Sequence, residues 1–179
     1  LTAVNELIYN RLQVCKCLII APKKVAEATW NTEAAKWGHL QHLRFSMILG
    51  SEQKRIRAAC SPADVYLTNR ENIVWLVDYF RNSWPFDMVV IDESSSFKSG
   101  KTKRFKSLTW VRPHIHRVVE LTGTPAPNSI QDLWAQLYLL DGGIRLGRTV
   151  TGFREMYFNS NTHGGHYTTY EAKEDAQKS

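Results

Sequence analysis

Two adjacent carboxylates, Asp92 and Glu93, are the residues of this sequence best placed to do chemistry. They end the run Met88-Val-Val-Ile91. Four apolar residues without alternation suit a central parallel strand covered on both faces. In open α/β sheets, ligands bind just beyond the carboxyl ends of the strands. A pair of acids there can hold a divalent metal and activate a water. The plain alternative is a solvated strand end, because short motifs also arise by chance. A second apolar stretch, Val118-Val-Glu-Leu121, runs into Thr122-Gly-Thr-Pro-Ala-Pro-Asn128, a turn rich in hydroxyl groups, Gly and Pro.

The elements that must position these residues alternate along the chain. Residues 1–12 place Val4, Leu7, Ile8 and Leu12 on one helical face. Cys17–Ala21 reads as a short buried strand stopped by Pro22, with Lys23 and Lys24 in the turn. A helix over about 25–37 carries Ala26, Trp30, Ala34 and Trp37 on one stripe, and Gly38 ends it. Strands come next at 45–49 and 64–68, with Ser51 as cap of a short helix through Ala59. Thr68 and Glu71 have capping-box spacing ahead of a helix bearing Ile73, Leu76, Val77 and Phe80. A basic loop, 98–106, leads to a helix at 105–112. Ser129 and Asp132 again have capping-box spacing, before an amphipathic helix with Ile130, Leu133, Trp134, Leu137 and Tyr138 that Gly142-Gly143 ends. Strands alternating with helices predict an α/β fold: a mainly parallel sheet with helices on both faces.

Bulk properties set the class. At 179 residues, 43% hydrophobic and 22% charged, the chain suits one ordinary domain with a real core. No apolar run reaches membrane-spanning length and no signal peptide is visible. Cys15, Cys17 and Cys60 form no metal-binding spacing and cannot all pair, which reads as reduced thiols in an intracellular, cytoplasmic protein. A net charge of +6 and a pI near 9.3 are a modest signal of a polyanionic partner, and on charge alone a solvated basic surface accounts for them equally well.

Three features imitate sites. Gly100-Lys101-Thr102 matches the end of a phosphate-binding loop, but the glycine required five residues earlier is Ser95. His114 and His116 fall on one face without a third ligand and read as surface histidines. His163-Gly-Gly-His166 lacks nearby ligands and reads as a flexible turn.

Together, 88–98 and 118–128 resemble motifs II and III of superfamily 2 helicases and translocases, closest to the Swi/Snf-like branch. There a DExx box is succeeded, about one strand and helix later, by Leu-Thr-Gly-Thr-Pro. The resemblance covers most of the chain. Ile19-Ile-Ala-Pro-Lys-Lys-Val-Ala-Glu-Ala-Thr-Trp30 looks like motif Ia. Thr68-Asn-Arg70 stands where related proteins have a second nucleic-acid-contacting motif, and Lys98 matches a basic residue that trails the acidic box. Asp132-Leu-Trp-Ala-Gln-Leu-Tyr-Leu-Leu-Asp141, and then Phe153-Arg-Glu, resemble the segment beyond motif III in Swi/Snf-like proteins.

The resemblance implies that residues 1–158 are the first of two RecA-like lobes, N-terminally truncated, and that 159–179 are a polar, flexible tail or linker. The cofactors implied are ATP and Mg²⁺. Asp92 would hold Mg²⁺ through a coordinated water, and Glu93 would orient and deprotonate the attacking water. Ser95, Thr122, Gly123 and Thr124 would couple the nucleotide state to the grip on nucleic acid; Thr122 and Thr124 could equally satisfy local backbone groups. Lys23, Lys24, Asn69 and Arg70 would contact nucleic acid, by preference duplex DNA. For Lys23 and Lys24 the alternative is solvated surface, and the spacing of Trp30 is that of a packed face. A second lobe would complete the site in the full-length protein.

Two departures qualify the likeness. Many relatives have His where Ser95 stands; a hydroxyl can bridge by hydrogen bond but carries no charge. The motif I phosphate loop is not within these residues and is expected just upstream of Leu1, so this piece alone is not expected to turn over ATP. For the same reason strand 117–121 is expected to have an unpaired edge. The competing reading is a non-catalytic nucleic-acid-binding module that keeps the fold.

Overall fold

The apolar runs pair as parallel strands. The computed structural model describes residues 1–126, 128–163 and 167–173, with backbone alone for 162, 163 and 167. Five strands, β1 (Cys17–Ala21), β2 (Phe45–Met47), β3 (Val65–Asn69), β4 (Met88–Asp92) and β5 (Arg117–Leu121), form one sheet in the order β2-β3-β1-β4-β5. Every pairing in it is parallel. Parallel neighbours need crossover connections, and helices supply them. The connecting helices are α2 (Trp30–Ala35), α3 (Glu52–Cys60), α4 (Ile73–Phe80) and α5 (Lys103–Val111); α1 (Thr2–Asn5) precedes β1, and α6 (Leu133–Asp141) and α7 (Val150–Tyr157) follow β5.

Both faces of the sheet are covered. On one, Leu18, Ile20, Val89 and Ile91 pack with Ile73 and Leu76 of α4, Phe105 and Leu108 of α5, and Trp134 and Leu139 of α6. On the other, Cys17, Ile19, Val65, Leu67, Met88 and Val90 pack with Val4, Ile8 and Val14. All five residues of β1 are buried, which explains a strand sequence with no polar phase. Burial also pushes the Cys17 thiol up to about 12. Cys15 and Cys60 are exposed, and none of the three cysteines is in a disulfide.

Several elements differ from the sequence expectation for local reasons. The helical segment after α1 opens into a π-helical turn, Glu6–Asn10. The extra residue shifts the apolar stripe, so Leu12 leaves the helix at φ 51° and is 81% exposed, while Val14 turns inward. A second π-helical turn, Val25–Thr29, precedes α2, and α2 ends at Ala35, which leaves Trp37 beyond the helix on extended backbone. Ala26 and Ala34 stay buried, Trp30 is half-buried and Trp37 is exposed. β2 is shorter than the expected strand at 45–49. Thr68 caps no helix: its hydroxyl donates to Ile48 O at 3.1 Å inside the sheet, and α4 starts later, at Ile73. Ser51 holds the cap position of α3 without a side-chain hydrogen bond.

The stretch expected to be a polar tail or linker carries paired strands in its described part. Residues Phe158–His163 (β6) and Tyr167–Ala172 (β7) pair as an antiparallel hairpin. Phe158 is buried, the Arg154 guanidinium lies 4.5 Å from the Tyr170 ring, and Lys173 Nζ donates to Glu155 O and Met156 O. An exposed two-stranded ribbon needs few apolar residues, so its composition looked like that of a linker. The His163–His166 turn lies outside the described residues at 164–166. His114 and His116 are exposed, as expected.

β5 is the edge of the sheet, paired on its inner side to β4 alone among the described residues. Its outward residues Val119 and Leu121 are 36% and 40% exposed. In native-state hydrogen exchange, the outward amides of β5 are expected to exchange by local fraying, and those of β4 only on global opening. Equal protection of the two strands would contradict this arrangement.

Candidate functional site at the carboxyl rim of the sheet

Parallel pairing brings the carboxyl ends of all five strands to one rim. Ala21 pairs with Asn69, Ile20 with Ile91, and Asp92 with Leu121. Across the sheet, the rim therefore carries Asn69-Arg70, then Lys23-Lys24, then Asp92-Glu93, then Thr122-Gly123-Thr124. The sequence candidates from four separate strands are thus neighbours in space. The acids and the hydroxyl turn, in particular, stand at the ends of directly paired strands.

Glu93 adopts a left-handed backbone, φ 55° and ψ 54°. For a residue with a Cβ this conformation costs about 1–2 kcal/mol. It reverses the chain at the end of β4, leaving Glu93 exposed at the rim and sending Ser94 fully inside. Asp92 is half-buried. Burial raises its pKa, and the charge of Glu93 acts in the same direction, against the Glu93 backbone N–H. The Trp30 indole also favours the ionised form, yet its Nε1 reaches hydrogen-bonding geometry with no partner, so it acts as a nearby dipole.

Acids at the opposite rim behave differently. Asp87 accepts from the backbone N–H groups of Cys15 and Lys16, at 2.7 and 2.9 Å. Asp64 accepts from the Tyr9 hydroxyl and from Arg44 through backbone and guanidinium. Those carboxylates hold the fold together. Neither Asp92 nor Glu93 is in an ion pair among the described residues. Among the same residues there is no cage of three or more His, Cys, Asp or Glu side chains. One or two carboxylates fit Mg²⁺, which keeps most of its shell as water and phosphate oxygen. A half-buried carboxylate disfavoured by desolvation is the kind of group such a cation would relieve.

The remaining candidates have mixed surroundings. Thr122 Oγ1 accepts from the Thr124 backbone N–H at 3.2 Å, so this hydroxyl closes its own turn. Gly123 has open space around it and needs no special backbone angle. Ser95 is half-buried in the turn after Glu93, and its carbonyl accepts from the Lys98 N–H. Lys23 and Lys24 are exposed where the chain enters a helical turn, with Lys23 Nζ 3.9 Å from Glu27. Arg70 is paired with Glu71 at 3.1 Å, and Asn69 Oδ1 is buried without a partner. Lys98 lies 3.8 Å from Asp132. The phosphate-loop imitation is a helix cap: Thr102 Oγ1 accepts from Phe105 N, and a Cβ on Gly100 would come within 2.8 Å of the Trp134 ring.

Sequence reasoning missed three polar residues behind this rim. Ser94 donates to Gln136 Oε1 at 2.9 Å, and both are buried. Glu120, registered with Ile91, has a buried Oε1 without a partner. Burial pushes its carboxyl up to about 8, against a hydrogen-bonding effect of Ser94. The available signal was a polar residue at an inward phase of an otherwise apolar element: Glu120 in β5 and Gln136 in α6.

Fold and rim together define a RecA-like α/β lobe with an acidic strand end. Residues 1–163 match the SNF2-related domain, and the chain belongs to that family. The protein p41 of Acyrthosiphon pisum secondary endosymbiont phage 1 is 40% identical over 164 residues, 88% of this chain and 36% of p41. The chromatin-remodeling ATPase INO80 of Schizosaccharomyces pombe is 35% identical over 134 residues, 69% of this chain and 8% of INO80. Among solved structures, the Sulfolobus solfataricus SWI2/SNF2 ATPase core in complex with dsDNA superimposes with a TM-score of 0.70 at 25% identity, over 87% of this chain and 31% of that one. The chain thus spans well under half the length of these relatives. Among the described residues no helix is long and apolar enough to cross a membrane.

Glu120 gives this region a pH signature. The folded chain holds its proton to about pH 8, while the unfolded chain releases it near the ordinary value of 4.5. Between those values the folded state binds more protons, so this residue's contribution to stability falls as pH rises. Glu120→Gln is expected to remove that slope. By about pH 8 the variant should be more stable than the parent by on the order of 2 kcal/mol, allowing for solvent near the sheet edge. Urea denaturation at a series of pH values checks this; parallel stability curves for the two proteins would refute it.

Proposed function

We propose that this chain is part of an ATP-dependent translocase that moves on duplex DNA, and that it supplies the acidic side of the hydrolytic site. One observation carries the reading. Asp92-Glu93 and Thr122–Thr124 stand at the ends of directly paired strands, and the basic and amide side chains after β1 and β3 continue the same rim. A nucleotide at the acids and a phosphate backbone at the lysines would then share one sheet edge. The family supports ATP hydrolysis, and a dsDNA complex of a structural relative supports the partner.

Hydrolysis by such a site requires charge neutralisation and a placed nucleophile, with little covalent help. Mg²⁺, held by Asp92 through water, would neutralise phosphate charge. Glu93 faces solvent at the rim and is the group free to orient a water and take its proton, a contribution of about 10²–10⁴-fold. Asp92, disfavoured as an anion by burial, gains most from a cation. Ser95, Thr122, Gly123 and Thr124 flank the acids and would move with the nucleotide state. Lys23 and Lys24, at a helix start with free backbone N–H groups, suit phosphate oxygens. Asn69 and Arg70 lie beside them on the next strand end. A motif I phosphate loop and a second RecA-like lobe, closing over the acids, would complete the site.

In the whole protein that carries this segment, Glu93→Gln is expected to lower DNA-stimulated ATP turnover by about 10²-fold or more while DNA affinity holds. Turnover that survives the change would remove Glu93 from this role; a protein that binds DNA but never turns over ATP would be a binding module with a motor's fold.

Charge reversal at Lys23 and Lys24 is expected to weaken DNA binding regardless of sequence. It should also lower the slope of log affinity against log salt by about one per lost contact. A salt titration with an unchanged slope would make both lysines plain surface.

A further inference from the structure

Behind the rim, α6 carries a residue out of keeping with its surroundings. Trp134, Ala135 and Leu139 are buried in the apolar core, and Gln136, between them, is buried to the same degree. A buried amide is tolerated only when its hydrogen bonds are met. Gln136 meets its own with partners from three places. Its Oε1 accepts from the Ser94 hydroxyl at 2.9 Å. Its Nε2 donates to Pro125 O at 2.6 Å and to Asp132 O at 2.9 Å. Ser94 is the residue next to Glu93, and Pro125 is the residue next to Thr124. One side chain thus joins the loop of the proposed base to the hydroxyl turn on the neighbouring strand.

A second tie runs alongside at the surface. Asp132 Oδ2 accepts from Asn128 N at 3.1 Å and lies 3.8 Å from Lys98 Nζ. The loop after β4 and the segment after β5 are therefore fastened to each other through α6 at two points. The tie through Gln136 is the less open to water: its bond to Ser94 is buried and its bonds to Pro125 and Asp132 are partly so.

We infer that Gln136 is a positioning residue: it holds the Glu93 loop and the Thr122–Pro125 turn in fixed relation, so that a shift of one displaces the other. This rests on the functional reading above. The relation of the two segments decides where Glu93 sits over its water. Loosening the tie therefore slows turnover and leaves affinity for nucleotide and DNA in place. Gln136→Leu keeps the volume of the side chain and strands the Pro125 carbonyl and the Ser94 hydroxyl. Gln136→Glu keeps an acceptor for Ser94 and loses the donor to Pro125. Ser94→Ala removes only the first bond of the tie.

The test uses the whole protein that carries this segment, with ATP and duplex DNA. Gln136→Leu is expected to lower DNA-stimulated kcat about tenfold, with KM for ATP and Kd for DNA within about twofold of the parent. Gln136→Glu should do the same. Ser94→Ala should lower kcat by about threefold, and its effect should vanish in the Gln136→Leu background, because both changes cut one tie. If Gln136→Leu fails to fold, Ser94→Ala decides the matter. An unchanged kcat accompanied by a lower Tm would overturn the inference and leave Gln136 as packing. Additive effects of the two substitutions would overturn it as well. Glu93→Gln, measured in parallel, separates the outcomes: if it abolishes turnover and the tie variants do not, the motor reading stands and this inference falls.

Discussion

A parallel strand buried on both faces has only its ends left for chemistry, and β1 and β4 are such strands. Their faces are packed against helices on either side, and their edges are filled by β3, by one another and by β5. No side chain in the middle of either can reach a solvent-borne ligand. The parallel direction then gathers all the free ends of one polarity at a common rim. The acids, hydroxyls and lysines of this chain meet there because the two inner strands are apolar until they reach it; the polar side chains the sheet does admit lie in other strands, such as Thr68, whose hydroxyl is consumed by Ile48 O, and Ser46, whose hydroxyl donates to Ala58 O.

That constraint also explains why so much of the fold was legible in the sequence. The runs at 17–21 and 88–91 have no alternation, and both proved to be inner strands. The α/β class, the parallel sheet and the shared rim of Asp92 and Thr122 come from such runs and from the turn residues after them. Positions within helices were harder to read wherever the helix was not a regular α-helix. Leu12 follows a π-helical turn and leaves the helix at positive φ, and Trp37 lies past the end of α2 on extended backbone, so both, inward by α-helical counting, face solvent. Nothing in the residue types around them announces a wider turn. The hairpin at 158–172 was missed for a different reason. Its contacts with α7 come from a few residues, Phe158, Tyr170 and Lys173, set among polar residues that a solvated ribbon tolerates.

The site was legible in its exposed members and opaque in its buried ones. Asp92 and Glu93 stand at a strand end where polarity changes abruptly. Ser94, Glu120 and Gln136 acquire meaning only once β4, β5 and α6 are placed against one another. The seating of α6 is itself a long-range matter. The guanidinium of Arg112, at the end of α5, donates to Leu139 O and Leu140 O at 2.6 Å and to Ile115 O at 2.8 Å. It meets the carbonyl end of α6, where cations are favoured. Gly100 lets the Trp134 ring approach from the other direction. These two contacts fix the helix along its axis and so set where Gln136 falls.

The cysteines turn this layered burial into a built-in chemical reporter. Alkylating reagents attack the thiolate, and Cys17, at the start of β1, forms almost none while the sheet is closed. Cys15, two positions earlier, is open to solvent, as is Cys60 at the far end of α3. The same reagent therefore reads two quantities in one sample: surface accessibility at once, and the lifetime of the closed sheet through the delayed modification of Cys17.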